Sequence, residues 1–236
     1  MDGKHLSKRL QTVANQVPLN SRLADIGSDH AYLPIYLAQN HLVDFAVAGE
    51  VVRGPFQNAE YEINSANVNS IVHPRLADGL DAIRPSDDIN VITIAGMGGN
   101  LIHRILERGI KLHRINGNEK LILQPNIGEY GLRKWLMEHY YQISDEKIVV
   151  DDHHIYEILI ANKMHAKPFY TEDELYFGPV LLKKHSSALL QKYKDAYQRM
   201  QSVIHQMKFA RSKQAKIKIQ MIKAQMKLIQ SLITRG

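Results

Sequence analysis

Apolar residues recur along the first two thirds of the chain in two alternating rhythms, short continuous runs and longer stretches at helical spacing. Leu6, Leu10 and Val13 give residues 3–16 the spacing of an amphipathic helix. The first continuous run, residues 22–26, breaks at Gly27 into a polar turn that leads to a helix over residues 32–40. The alternation then repeats. Strands are expected over 45–50, 70–76, 90–95 and 120–124, and helices over 55–66 (Pro55 in its first turn), 101–108 and 129–139. Two further strands, 142–150 and 155–162, close the series. Continuous apolar runs belong to strands covered on both faces. The pattern therefore predicts a doubly wound, mostly parallel α/β sheet, with a ligand at the carboxyl ends of its strands near the switch in strand order.

Beyond Asn162 the pattern changes. Residues 164–179 contain Pro168, Pro179 and the acidic stretch Glu172-Asp173-Glu174, and read as a linker and helix entry. Leu189, Tyr193, Ala196, Met200, Val203, Met207 and Ala210 then follow one another at alternate steps of four and three, and Ile217, Met221, Ala224 and Leu228 resume that rhythm. This is the seam of a coiled coil, with its methionines as packing residues. No glycine or proline between Lys183 and Arg235 locates a turn; a break near 208–214, where the phase is interrupted, would allow an antiparallel hairpin and a monomer, and one long helix that dimerises is the competing reading. The expected division is a ligand-binding domain over 1–163, and a linker with a basic coiled coil over 164–236.

At 236 residues and 44% hydrophobic content the chain can bury a sizeable core. The absence of cysteine removes disulfides, thiolate metal sites and a cysteine nucleophile. The net charge of +6 hides a sharp division: residues 1–182 carry 17 basic and 23 acidic side chains, whereas residues 183–236 carry 13 basic side chains and the single acid Asp195. Such a basic appendage suits a polyanion, with nucleic acid first and an acidic membrane surface or a merely solvated helix face as alternatives. Lys4, Lys8 and Arg9 would form a second basic patch. Residues 1–5 open no signal peptide and no apolar run is long enough to span a bilayer, so a cytoplasmic location is expected.

The turn Asp25-Ile26-Gly27-Ser28-Asp29 is the main candidate for chemistry. A dinucleotide-binding turn would show G-x-G-x-x-G so that pyrophosphate meets bare backbone; one glycine flanked by two carboxylates would repel it, which sets aside a nicotinamide-dependent reductase. Carboxylates suit a cationic or amine-bearing ligand, such as the sulfonium nucleoside S-adenosylmethionine. Glu50, ending the second strand, can accept both hydroxyls of a ribose, and Ala77-Asp78-Gly79 can border an adenine whose amine donates to Asp78. Gly96-Met97-Gly98-Gly99 follow the fourth strand. The plainer reading of Asp29 is a helix cap.

Taken in order, the strings Ala24–Pro34, Ala48–Val51 with Gly54-Pro55 and Ala59, Leu76–Leu80, Ile94–Gly99 and Leu123–Asn126 resemble the class I S-adenosylmethionine-dependent methyltransferases. More closely, they resemble the bacterial family that methylates N1 of adenine 22 in tRNA. The resemblance covers nearly the whole chain. It implies a Rossmann-like doubly wound sheet with a C-terminal α-helical coiled-coil domain, S-adenosyl-L-methionine as cofactor and tRNA as partner, without a metal. It further implies cofactor contacts from Asp25, Gly27, Ser28, Asp29, Glu50, Val51, Ala77, Asp78, Gly79, Ala95, Gly96 and Met97.

Many amino-directed methyltransferases carry Asn/Asp-Pro-Pro-aromatic after the fourth strand, where this chain has Ala95-Gly96-Met97-Gly98, so attack through a ring nitrogen is expected. Asp29 is the candidate catalytic carboxylate, with a cap or an ammonium ligand as its other readings. His30 and Tyr32 would shape or stack in the pocket, and Gln124 and Asn126 would offer amides to the target base. The alternatives are a small-molecule methyltransferase whose coiled coil only oligomerises, and an RNA-binding scaffold with a vestigial cofactor fold.

Overall fold

The computed structural model describes residues 5–207 and 212–234. Helix α1 (Lys8–Ala14) precedes strands β1 (Ser21–Ile26), β2 (Val43–Glu50), β3 (Val72–Leu76), β4 (Val91–Gly98) and β5 (Lys120–Ile127). Helices α2 (Tyr32–Gln39), α3 (Arg53–Ser65), α4 (Gly99–Lys111) and α5 (Glu129–Glu138) alternate with these strands, while two 3-10 turns at Gly79–Ala82 and Pro85–Asp87 join β3 to β4. A hairpin of β6 (Tyr141–Asp151) and β7 (His154–Lys163) completes a sheet of order β3-β2-β1-β4-β5-β7-β6. β7 pairs antiparallel with both neighbours and the other pairings are parallel. The strand order switches direction between β1 and β4, which opens a crevice at their carboxyl ends.

Both faces of the sheet are covered, which is why its strands are apolar almost without alternation. Ile92, Ile94, Leu121 and Leu123 pack with Ile102, Leu106, Leu132 and Leu136 on one side. Leu23, Val91 and Ile122 pack with Val13, Leu33, Leu37 and Ile63 on the other. Each such fully buried aliphatic side chain contributes about 1.5–3 kcal/mol, so the sheet is a stiff platform for whatever its edge carries.

Three features differ from the sequence reading. Helix α1 begins only at Lys8, where Ser7 caps it by accepting from the Leu10 amide at 3.3 Å, so Leu6 precedes the helix; residues 1–4, Lys4 among them, lie outside the described residues. Strand β4 does not stop at Ala95 but runs on through Gly98, with its register to β5 shifted between Ala95 and Met97. Gly96, at φ +79°, absorbs that irregularity. Thirdly, the segment read as a linker and helix entry already forms helix α6 (Glu172–Phe177), capped by Thr171 with Glu174 in a reciprocal capping box, and runs into α7 (Pro179–Lys184).

The chain divides into two compact units, Met1–Val180 and Leu181–Gly236, rather than at residue 163. The reason is a buried ionic cluster. Arg133, fully buried, donates to Glu146 at 2.8 Å and to Glu157, while Glu146 accepts the Val180 amide at 2.8 Å; Leu175 and Phe177 are buried as well. Residues up to 180 are thereby tied to the sheet unit.

The second unit contains helices α8 (Ser187–Gln206) and α9 (Lys213–Thr234), so the chain forms two helices and not one. His185 Nε2 lies 3.4 Å from the Leu232 carbonyl oxygen, which sets the start of α8 beside the end of α9 and makes the pair antiparallel. The expected α8 seam, Leu189, Tyr193, Ala196, Met200, Val203 and Met207, is buried or half-buried; residues 208–211, Ala210 among them, lie outside the described residues. The α9 seam is corrected. Ile217 and Met221 are 48% and 62% exposed, whereas Ala215, Ile219, Ile222, Met226, Ile229 and Ile233 are buried or half-buried at steps of four and three. Both sets obey the same periodicity, and the sequence offered no glycine or proline to fix the phase after the turn.

Candidate active site

The β1–α2 turn is built from backbone conformations that few residues adopt. Gly27 has φ +73°, and a Cβ there would collide with the Met97 methyl. The Gly27 and Ser28 amides both donate to the Gly49 carbonyl, at 2.9 and 3.1 Å. Asp29 and Ala31 also have positive φ, +52° and +56°. Helix α2 starts from Ala31 without a side-chain cap, so Asp29 does not serve as its cap. Its carboxylate is 71% exposed, with Oδ1 3.8 Å from His30 Nε2.

Two acids hold the turn in place. Asp25 is 5% exposed and accepts the Ser28 hydroxyl at 2.5 Å and the Thr93 hydroxyl at 2.6 Å. Burial pushes its carboxyl above the ordinary range, opposed by those two hydroxyls and by the nearby Arg9 charge. Glu50 is also buried: Oε1 accepts the Val51 and Val52 amides at 2.8 and 3.1 Å, and Oε2 accepts the Asp29 amide at 3.3 Å. Oε2 therefore keeps acceptor capacity toward the crevice.

Around this turn lies a cavity of about 390 Å³, the size of a small-molecule ligand site. Asp25, Gly27, Ser28, Asp29, Glu50, Val51, Ala77, Asp78, Gly79, Ala95, Gly96 and Met97 all line it, together with His30 and Tyr32. The His30 and Tyr32 rings stack at 5.1 Å with an interplanar angle of 7°. At the far end, Ala77 donates to the Glu50 carbonyl at 2.8 Å, and Asp78 Oδ2 lies 3.3 Å from Arg108. The loop carrying them is pinned by buried Asp87, which takes Arg75 Nη2 at 2.8 Å and the Arg84 amide at 2.6 Å. Leu10, Leu33, Leu101 and Ile105 add apolar walls that strand-end reasoning does not find.

Gln124 and Asn126 do not line this cavity, and Gln124 is fully buried. Gln124 Oε1 accepts the Gly96 amide at 2.9 Å and Arg9 Nη1 at 2.5 Å, while its Nε2 donates to Pro125 O at 2.9 Å and Asn126 Oδ1 at 3.1 Å. Asn126 Nδ2 donates to Gly96 O at 2.8 Å. These amides replace the strand ladder where β4 bulges at Gly96, so they shape the site and Gln124 offers nothing to a base. Arg9, expected on a surface patch, instead points its half-buried side chain into the cavity wall. Its signal in the sequence, one arginine in an amphipathic helix, was indistinguishable from a solvated charge. Among the described residues no group of three or more His, Asp or Glu side chains is gathered as metal ligands.

A doubly wound sheet with an acid-lined crevice at the ends of β1, β2 and β4, and one glycine in its β1–α2 turn, defines a Rossmann-like methyltransferase. The family profile described as "TrmK: tRNA (adenine(22)-N(1))-methyltransferase" matches residues 23–231, and the chain belongs to that family. It is 39% identical, over the whole of both chains, to the tRNA (adenine(22)-N(1))-methyltransferase of Bacillus subtilis. A Streptococcus pneumoniae structure in complex with S-adenosyl-L-methionine superposes with a TM-score of 0.87 at 37% identity, covering 97% of this chain and 100% of that one. M. capricolum TrmK in complex with S-adenosyl-homocysteine gives 0.83 at 26% identity, covering 97% and 98%.

Proposed function

We infer that this protein transfers the methyl group of S-adenosyl-L-methionine to N1 of adenine 22 in tRNA. The observation that carries the reading is the convergence of the twelve expected cofactor residues on one cavity, in a chain alike over its full length to the B. subtilis enzyme. The residues fit the cofactor. Gly27 leaves room beside the Met97 methyl, and Glu50 presents a carboxylate fixed by three amides to the ribose. Asp78 and Gly79 border the adenine, and Asp25 and Asp29 favour the positive end.

The cofactor when bound supplies an electrophilic methyl; the chain's residues hold the acceptor in line with it. Adenine N1 carries an in-plane lone pair, so no covalent nucleophile is required and positioning is the main catalytic task. The exposed Asp29 carboxylate at the rim accepts a hydrogen bond from the target's N6 amine and favours the cationic product. The His30–Tyr32 stack offers an aromatic face to an extruded base. Gly96, held by Gln124 and Asn126, lets the base approach over bare backbone.

The helical pair supplies the grip on RNA as a basic coiled coil. Lys213, Lys216, Lys223 and Lys227, with Gln220, are exposed along one face of α9 at steps of three and four, a stripe about 21 Å long at 1.5 Å rise per residue. Such a stripe suits the phosphates of folded tRNA and offsets the cost of extruding a stacked base. The seam is filled within one chain, which supports a monomer, and a tRNA substrate is consistent with a cytoplasmic location. Among the described residues no helix is long and apolar enough to cross a membrane.

The test is transfer of labelled methyl to unmodified tRNA transcripts, followed by nuclease digestion and mass mapping. The expected product is 1-methyladenosine at position 22, lost when that adenine is replaced. Label on N6, or at another position, would overturn the reading.

A further inference from the structure

We propose that Ile127 is an apolar wedge that enters the tRNA stack when adenine 22 leaves it. The inference rests on the tRNA reading above and adds to it a positioning residue outside the lining of the cavity. Strand β5 is buried from Leu121 through Pro125, yet its last residue, Ile127, is 72% exposed. It stands at the catalytic edge. Ile127 pairs in register with Gly98, and Gly96 and Met97 of that same strand line the cavity. One interstrand step and two residues of strand put Ile127 within about 10 Å of Gly96, over which the target base approaches. Val51, Val52 and Leu76 are exposed too, but at the ends of β2 and β3, which the reading above gives to the cofactor's ribose and adenine. In the order β3-β2-β1-β4-β5, Ile127 is on the opposite side.

A base that leaves its stack uncovers the apolar faces of its neighbours, and it falls back unless the gap is filled. The filler has to be apolar and stiff, as are the Phe, Leu, Ile and Met side chains that hold unstacked base steps open. Ile127 has both properties. Its β-branched side chain is restricted at χ1, and the backbone beneath it is fixed. Asn126 Nδ2 donates to Gly96 O at 2.8 Å. A Cβ on Gly99 would lie 2.5 Å from Gly128 O and 3.2 Å from Ile127 O, so α4 starts directly against the backbone that carries the wedge. The paired residue leaves the side chain clear: Gly98 has none of its own, and a Cβ there would lie 4.0 Å from Ile127 Cγ1.

The test reads extrusion and methylation separately, with the full chain. A tRNA carrying 2-aminopurine at position 22 brightens when that base unstacks on binding, and an unmodified transcript reports methyl transfer. Ile127→Ala should reduce the fluorescence rise and lower kcat/KM by about 10- to 100-fold, with S-adenosylhomocysteine affinity and melting temperature unchanged. Ile127→Leu should keep most of both signals. Ile127→Asn, of similar length but polar, should lose them as the alanine variant does. Undiminished methylation by Ile127→Ala, or slower methylation with the full fluorescence rise, would overturn the assignment. So would an Ile127→Asn protein that performs as wild type. A wild-type protein that makes no 1-methyladenosine at position 22 would overturn the tRNA reading itself, and this role with it.

Discussion

The sheet edge and the helical pair use charge in opposite ways. At the edge, Asp25 and Glu50 are buried, and each carboxylate oxygen of both is fixed by a hydroxyl or an amide of the neighbouring strand or turn. On α9 the lysines are exposed and follow one another along a face without an acid among them. A buried, fixed charge selects a small ligand by geometry. An exposed, dense one attracts a polyanion by field alone and releases counterions, with little demand on the position of any single side chain. On the proposed reading one chain uses both: an edge lined by four carboxylates repels the RNA whose base it receives, and the helical pair supplies the attraction.

If the helical pair is a scaffold for exposed charge, its seam should matter far more than its other apolar face. Ile229→Ala should destabilise the second unit by about 2–5 kcal/mol, since Ile229 is fully buried. Thermal or urea unfolding of the full chain would show it as a separate, earlier transition. At the sheet edge, Asp29→Ala should lower turnover by about 10- to 100-fold, the worth of one hydrogen bond to a charged group, and weaken S-adenosylhomocysteine by less. An equal loss in both would make Asp29 a cofactor ligand.

Asp87 sharpens the contrast from the side of fixed charge. Burial raises its carboxyl, but the Arg75 guanidinium and the Arg84 amide outweigh that and hold it below the ordinary value. A depressed folded pKa contributes stability that is complete above the unfolded value, about 4, and is lost as pH falls through the folded one. Asp87→Asn should therefore cost about 1–3 kcal/mol at neutral pH, with the gap to wild type closing in denaturant titrations run below about pH 4. Met221→Ser should be nearly silent, within about 0.5 kcal/mol; a cost as large as that of Ile229→Ala would put the seam back on the face expected from the sequence.

Much of the sheet was legible because its strands are continuous apolar runs punctuated by glycines and acids, and the same punctuation marked the cavity-lining residues from Asp25 to Met97. What escaped were partnerships across distance. Gln124 sits at a strand end, as an acceptor of a base would, yet its amide is consumed by Gly96, Arg9 and Asn126, and only the β4 bulge reveals that need. Arg9 was read as surface because nothing in its own helix shows that β7 and β5 come to meet it. Residues 164–179 were read as a linker and helix entry because the buried Arg133–Glu146–Glu157 cluster that fastens this segment is assembled from three separate elements. The α9 seam was misplaced by two residues for lack of any marker of phase across the turn.

The division of labour is tested most directly by replacing Lys213, Lys216, Lys223 and Lys227 with glutamine in the full chain, and measuring tRNA affinity against salt beside S-adenosylhomocysteine affinity. The account predicts a dependence of log K on log salt that is shallower by about 3, from about 0.7–0.9 per phosphate contact, with affinity for the small ligand unchanged. An unaltered salt dependence, with tRNA bound as tightly as before, would contradict it.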